Sequence, residues 1–197
     1  EPRWYENPPL TADKLPLRLS PSSIPALDSA KIGEVIDLGE RLEVEGDYDP
    51  AVLGSAIHAV IATSMMGQDS TARVLDNHGV LDIISVEAAN ECTARLLKVI
   101  SSRFKPISCF PEFPIQYSTE TGQLISGWID LLLETENGYV LIDHKASPRS
   151  QSEWEEIALS YSGQLDTYAS GVSQITGKPV ISRWVHFAVT GGLVEVN

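Results

Sequence analysis

The chain has 197 residues, 43% of them hydrophobic and 21% charged, which is typical of a globular domain with room for a sizeable core. Its formal net charge of −13 argues against a stand-alone nucleic-acid binder, because proteins that hold phosphate unaided usually carry a basic face. No apolar run approaches the roughly 18 to 20 residues that span a bilayer, and its two cysteines cannot alone hold a four-thiolate zinc or iron–sulfur site.

The first part of the chain shows no helical or strand periodicity. Residues 1–19 are rich in proline, which predicts an extended lead-in or linker. The Ser-Pro-Ser-Ser sequence at 20–23 indicates a turn or helix cap, and one domain is expected to occupy 20–197. Seven carboxylates between Lys31 and Asp49 accompany only two basic residues, so this stretch is interpreted as a solvated surface.

Apolar residues at helical spacing follow. Asp49 and Pro50 suit the cap and first turn of a helix. Ser85 suits the cap of another, whose early residues include acids and whose late residues include bases, as the helix dipole favours. The predicted elements are a helix over 51–66, a short helix and turn over 70–83, and a helix over 86–104.

The period then changes to that of strands. Asn137 and Gly138 form a strong hairpin signal between two of them. Strands are predicted over 109–117, 123–134, 139–144 and 180–189, with a long helix over 152–175 before the fourth and a short last strand after the glycines at 191 and 192. This order predicts an α/β domain with a central mixed β-sheet flanked by helices.

Two aspartates on the predicted hairpin carry the clearest chemical signal. A tight hairpin brings Asp130 and Asp143 side by side, where two carboxylates in an apolar setting repel each other unless a hard cation lies between them. Alternation along the strand places Lys145 on the same face as Asp143, with His144 on the other. Lysine beside a metal-bound carboxylate can orient a water or neutralise a phosphate, whereas a plain salt bridge at a strand end is the alternative.

The order of these motifs resembles the RecB-family nuclease branch of the PD-(D/E)XK superfamily. Gly-Trp-Ile-Asp ending at Asp130 and Ile-Asp-His-Lys ending at Lys145 are followed by Tyr-Ser-Gly-Gln-Leu-Asp-Thr-Tyr, in which Gln164 and Tyr168 match a Gln-x-x-x-Tyr motif. The spacing of four puts both on one helix face. The resemblance covers about 19–190 and implies a restriction-endonuclease-like core, in which this pair helps to position the site and the DNA strand.

The same resemblance implies further site residues. His58 matches a family histidine on a helix that ligates the metal, and Glu112 matches a glutamate on the first core strand that binds metal directly or through water. The implied metal ligands are thus His58, Asp130, Asp143 and the backbone carbonyl of His144, with Lys145 as the catalytic lysine. By contrast, the rings of His78, His144 and His186 are interpreted as surface or core side chains.

The resemblance implies a Mg²⁺- or Mn²⁺-dependent deoxyribonuclease, with exonuclease action, that serves DNA repair and recombination. Its expected substrate is a DNA strand fed by an ATP-dependent helicase on the same full-length chain, since no Walker A pattern occurs here. The cysteines of the cluster-bearing branches are missing, so no iron–sulfur cluster is expected. Cys92 and Cys109 favour free buried thiols in a reducing cytoplasm over one disulfide.

A non-catalytic member of the same fold, serving DNA or protein interaction, is the alternative. The acidic charge favours it. The set of His58, Glu112, Asp130, Asp143 and Lys145 opposes it, because a domain freed from catalysis has no physical need for clustered carboxylates. Titration with a divalent metal separates the two hypotheses.

Overall fold

The computed structural model describes residues 16–197. Residues 1–15, which make up most of the predicted lead-in, lie outside the described residues. Arg18–Leu19 already pairs with the sheet, so the chain joins the fold just before the predicted start at residue 20. Among the described residues, no helix has both the length and the apolar character that crossing a membrane requires.

Seven strands within residues 16–197 form one sheet. They are β1 Arg18–Leu19, β2 Ile32–Asp37, β3 Ser108–Ser118, β4 Leu124–Thr135, β5 Gly138–Lys145, β6 Val180–Phe187 and β7 Gly192–Val196. Their spatial order is β1-β4-β5-β6-β7-β2, with β3 also paired to β4. The β1/β4 and β5/β6 pairs are parallel and the other pairs antiparallel, which confirms the predicted mixed sheet.

Five α-helices in the same range cover the two faces of the sheet. They are α1 Pro50–Met65, α2 Thr71–Asn77, α3 Val86–Val99, α4 Trp154–Ser160 and α5 Ser162–Thr176. The predicted caps are present: Asp49 Oδ1 accepts the Ala51 N–H at 2.8 Å, and Ser85 Oγ accepts the Ala88 N–H at 3.1 Å. The restriction-endonuclease-like α/β arrangement is therefore confirmed.

The sheet separates two apolar cores. Leu53 of α1 and Leu96 of α3 pack with Ile142 on one side, and Leu165 of α5 packs with Leu141 on the other. Successive residues of β5 thus point into opposite cores, as strand geometry requires. Because both faces of β5 are covered, its sequence is apolar until Asp143, where the strand reaches the candidate site.

The acidic stretch from Lys31 to Asp49 forms an edge strand that the sequence did not predict. All seven carboxylates are exposed, which confirms the solvated surface. Yet Ile32 and Ile36 are half-buried where β2 pairs antiparallel with β7, and Leu38 is buried. The few apolar residues among the charges are enough to close the sheet, a contribution that composition masks.

The long helix predicted over 152–175 is divided in the structure. A 3-10 turn at Gln151–Glu153 leads into α4, and the helical path breaks at Tyr161 before α5 begins. Ser162 at the break accepts a hydrogen bond from the Leu27 N–H through its Oγ, at 2.8 Å. This tertiary bond to the N-terminal segment is invisible to helical periodicity. The two cysteines are free thiols, as predicted, with Cys92 buried and Cys109 half-buried.

Gly163 allows the N-terminal segment to lie directly against α5. A Cβ at this position would overlap the carbonyl oxygen of Pro25, which belongs to backbone and has little room to move. The contact sets the position of the first turn of α5, one residue before Gln164. The absence of a side chain is thus required by the packing and not by the backbone conformation.

We predict that Gly163→Ala lowers the thermal midpoint of unfolding. The helix propensity of alanine favours the substitution by about 1 kcal/mol, but the overlap costs about 1–3 kcal/mol and wins if the Pro25 backbone stays in place. Gly54→Ala is the matched control, because its Cβ would meet the Ala146 Cβ at 3.4 Å, an ordinary contact. Differential scanning calorimetry checks both variants, and equal midpoints would contradict the prediction.

Candidate active site

Three carboxylates lie at one level of the sheet on adjacent strands. The register of β3 with β4 continues on both sides of Glu112, which places it opposite Asp130. On the other side, β4 and β5 pair up to Leu131 and Ile142, and Asp130 and Asp143 occupy the next rung. The hairpin therefore brings the two aspartates together, as its Asn-Gly turn predicted.

His58, Glu112 and Asp130 form a group that fits a metal ion. One ligand atom from each lies within 4.8 Å of the others. His58 Nδ1 is 3.6 Å from Asp130 Oδ1, while Asp130 Oδ2 accepts the His144 N–H at 2.7 Å. That hydrogen bond holds the carboxylate with Oδ1 towards His58. Two carboxylates and one imidazole are a donor set suited to Mg²⁺ or Mn²⁺.

Glu112 has a strained backbone. Its φ is +49°, a left-handed conformation within β3. For a residue with a side chain this costs on the order of 1–3 kcal/mol, and such strain persists only where the surroundings enforce it. Pro111 precedes Glu112, and Pro114 follows two residues later, so the strand is irregular at the point where it carries the acid.

Asp143 lies outside this three-residue group. Its side chain is buried, and Oδ1 accepts a hydrogen bond from Gln164 Nε2 at 2.8 Å. Oδ2 receives no well-directed hydrogen bond within the described part of the chain and meets Lys145 Nζ at 2.8 Å as an ion pair. The ammonium thus occupies the side of Asp143 that a cation would use. Ligation by Asp143, like that by the His144 carbonyl, stays a prediction.

Lys145 is held between a carboxylate and an aromatic ring. Its Nζ lies 4.3 Å from the centroid of Tyr161, the residue at the break between α4 and α5. Burial acts to lower the pKa of Lys145, but the carboxylate of Asp143 opposes it and the net shift is upward. The amine is therefore a firm ammonium at neutral pH in the absence of metal.

Gln164 and Tyr168 project from one face of α5 and are both buried. Gln164 binds Asp143, as described, and a Cβ at Gly127 would lie 3.2 Å from the Tyr168 hydroxyl. Burial raises the pKa of Tyr168, so the phenol stays neutral. The pair joins α5 to β5 and β4 and fixes the orientation of the site from behind.

A row of histidines extends from the candidate metal group into the core. The rings of His58 and His144 meet edge to face with centroids 5.5 Å apart, and His144 Nδ1 lies 3.0 Å from His186 Nδ1. Burial lowers the pKa of His58, lowers that of His144 well below its ordinary range, and lowers that of His186 to about 3. All three are neutral at pH 7, and neutral imidazole is the form that binds metal.

The two aspartates resist ionisation in the metal-free protein. Burial raises the pKa of Asp130 to about 6. Burial, followed by the charge of Asp130, raises the pKa of Asp143 to about 6 as well. Near pH 7 both are mainly ionised, and each ionisation is opposed by the apolar surroundings. A cation that replaces protons there would relieve that cost.

Comparison with known families agrees with this geometry. A model described as the PD-(D/E)XK nuclease superfamily matches residues 18–190. The chain belongs to the PD-(D/E)XK nuclease superfamily. The match covers the sheet from β1 to β6 and all five helices, so the candidate site lies entirely within it.

The similar curated proteins of this superfamily are components of helicase–nucleases. The chain is 27% identical to an ATP-dependent helicase/nuclease component of Carboxydothermus hydrogenoformans over 93% of this chain, and 26% identical to that of Pelotomaculum thermopropionicum over 84%. A Thermoanaerobacter protein of the same name is 33% identical over 44% of the chain. The chain spans only 18% and 13% of the length of the first two relatives.

Two features of the site were not found from the sequence. The ring of Tyr161 against Lys145 depends on the helix break, which no periodicity signals. The partnership of His144 with His186 follows from their parallel pairing on β5 and β6, a register that neither strand sequence specifies. The histidines themselves agree with prediction: His144 and His186 are in the core, and His78 is half-buried at the end of α2.

We predict that Asp130→Asn stabilises the metal-free domain at pH 7.5 and abolishes its stabilisation by Mn²⁺. A carboxyl whose pKa is raised on folding contributes stability below its unfolded pKa, and this is lost as pH rises through the folded value. With a pKa raised from 3.8 to about 6, the loss is complete above pH 7. Removing the charge restores on the order of 2 kcal/mol, or about 5 °C in Tm.

The measurement is thermal melting in EDTA and in Mn²⁺ at pH 5 and 7.5. Asp82→Asn is the control, because Asp82 is exposed. The wild type and the control are expected to lose stability in EDTA between these two pH values, whereas Asp130→Asn loses less. A Mn²⁺ shift in Asp130→Asn as large as in the wild type would refute the assignment.

Proposed function

We propose that the chain is a Mg²⁺- or Mn²⁺-dependent deoxyribonuclease domain with exonuclease action, and that it works within a larger helicase–nuclease in DNA repair and recombination. The observation that supports this best is the placement of His58, Glu112 and Asp130 beside the Asp143–Lys145 pair. Hydrolysis of a phosphodiester needs hard oxygen and nitrogen ligands next to a fixed positive charge, and this arrangement provides both.

His58, Glu112, Asp130 and Asp143 would hold the divalent cation, with the His144 carbonyl as a further ligand. A bound divalent cation lowers the pKa of water and polarises the phosphate. His58 enters the site as a neutral imidazole, and its edge-to-face contact with His144 fixes the ring. The His144 N–H keeps Asp130 Oδ2 occupied, which leaves Oδ1 available.

Lys145 supplies the positive charge next to the scissile phosphate. Because its pKa is raised by Asp143, it acts as an ammonium that offsets phosphate charge and orients the attacking water. Tyr161 guides the side chain through the ring contact at 4.3 Å. Gln164 holds Asp143 Oδ1, so that Oδ2 alone turns between the ammonium and the metal position. Gln164 and Tyr168 are positioning residues in this proposal.

The proposed substrate is a DNA strand delivered by an ATP-dependent helicase on the same full-length chain. A net charge of −13 opposes the approach of phosphates, and this repulsion is screened only over about 8–10 Å at ordinary salt. Tethering to a motor replaces intrinsic affinity by local concentration. The relatives named as helicase/nuclease components support such a tether. The proposal includes one nuclease domain over 20–197 and action in the cytoplasm.

A non-catalytic interaction module is less well supported. Such a module has no use for a strained Glu112 or for buried carboxylates that resist ionisation. Both features cost stability, and function is the usual reason that such costs persist.

We predict that Lys145→Met retains stabilisation by Mn²⁺ but loses most cleavage of DNA. Methionine keeps the apolar stem and removes the charge, and loss of a positioned charge or proton-transfer group typically lowers kcat on the order of 10²- to 10⁴-fold. Lys178→Met is the matched control. Lys178 also forms an ion pair, with Glu134 at 2.6 Å, but is exposed and lies at the opposite end of the sheet.

The measurement is single-turnover cleavage of labelled single-stranded and double-stranded oligonucleotides with Mg²⁺ or Mn²⁺ at low salt. Oligonucleotides labelled at either end, and a circular strand, distinguish exonuclease from endonuclease action. Near-normal cleavage by Lys145→Met would reduce Lys145 to a salt-bridge partner. No cleavage by wild type, alone or fused to a helicase, would favour the interaction module.

A further inference from the structure

Trp128 is an exposed aromatic side chain two residues before Asp130. It is 60% exposed, whereas Trp154 and Trp184, the other tryptophans of the described residues, are 2% and 0% exposed. Alternation along β4 buries Ile129 in the core against α5 and turns Trp128 to the same side as Asp130. The indole therefore lies roughly 7 Å along the strand from the candidate metal group.

The surface around Trp128 is uncharged. Opposite Trp128 on β3 is Pro114, and the next outward-facing rung pairs Gln116 with Ser126. All four side chains are exposed, and we call them the outer ribbon face. It begins at the Glu112–Asp130 rung and leads away from it. In a chain with a net charge of −13, a strip without carboxylates is a path on which a phosphate backbone meets little local repulsion.

The backbone beneath Trp128 is fixed. Ile129 is fully buried, and Gly127 packs so closely that a Cβ there would lie 3.1 Å from Pro21 and 3.2 Å from the Tyr168 hydroxyl. An aromatic ring on a rigid strand loses little conformational entropy when a flat ligand covers it. The position of the ring relative to Asp130 is thus set by the sheet.

We propose that Trp128 stacks on one base of the DNA strand whose phosphate lies at the candidate metal group, and that this contact favours an unpaired strand. The inference rests on the proposed function. Stacking on an aromatic side chain requires an open base face, which a duplex does not offer, and it accepts every base. Trp128 is then a binding residue that sets strand preference, beside the groups that perform hydrolysis.

The neighbours of Trp128 favour a base over a protein surface. Protein-docking patches combine several large apolar side chains, and their area usually reaches hundreds of square ångströms. On the outer ribbon face, Trp128 stands with Pro114, Gln116 and Ser126, and among the described residues no second large apolar side chain accompanies it there. One aromatic ring with short polar neighbours is the arrangement found on single-strand binding surfaces.

The test compares Trp128→Ala and Trp128→Phe with wild type on a labelled single strand and on the same strand with one abasic site, moved along it. Trp128→Ala is expected to lower kcat/KM on the intact strand roughly 5- to 100-fold, while Trp128→Phe keeps most of it. At one abasic position the wild type falls to the level of Trp128→Ala, and the substitution adds nothing. Ile107→Ala is the control, because Ile107 is 64% exposed and lies before the other end of β3.

Binding is measured separately by quenching of tryptophan fluorescence with the same strand in Ca²⁺ at low salt. Wild type is expected to be quenched, and Trp128→Phe to lose that quenching while it still binds. Unchanged kinetics in Trp128→Ala, or an equal loss on intact and abasic strands, would overturn the stacking contact. Quenching without cleavage by any variant would instead overturn the proposed function and leave the stacking contact supported.

Discussion

Repulsion between carboxylates at one level of the sheet is the constraint on which the rest of the site depends. Glu112, Asp130 and Asp143 are brought to neighbouring rungs by the pairing of three strands. In the metal-free protein the repulsion is offset in two ways: Lys145 neutralises Asp143, and burial raises the pKa of both aspartates to about 6. Neither device satisfies Glu112 and Asp130 together with His58, and that is the space a cation fits.

The two apolar cores lie on either side of this strained edge and stabilise it. Leu141 and Ile142 point into opposite cores immediately before Asp143, so β5 carries the acid on a strand that cannot shift. The α5 helix then contributes Gln164 to Asp143 from behind. Rigid elements therefore hold the polar groups, which is the arrangement that precise positioning of a metal and a phosphate requires.

Most of the fold followed from local patterns in the sequence. The Asn137–Gly138 turn fixed the hairpin and with it the rung of Asp130 and Asp143, and spacing of four placed Gln164 and Tyr168 on one face of α5. These features depend on residues close together in the chain, so periodicity and turn chemistry were sufficient.

The remaining features depend on contacts between distant segments. The edge strand β2 forms only because β7 lies beside it, and the break at Tyr161 accompanies a bond from Leu27 to Ser162. The ion pair that keeps Asp143 apart from the His58 group likewise required the three-dimensional arrangement. The family resemblance supplied His58 and Glu112, which no spacing rule connects to the aspartates.

A crystal structure of the domain soaked in Mn²⁺, with anomalous scattering recorded at the manganese edge, tests the central claim most directly. We expect a peak within coordination distance of His58, Glu112 and Asp130, with Asp143 turned towards it and Lys145 Nζ moved away from Asp143 Oδ2. A peak elsewhere, or none at saturating Mn²⁺, would show that these carboxylates are clustered for a reason other than binding a cation.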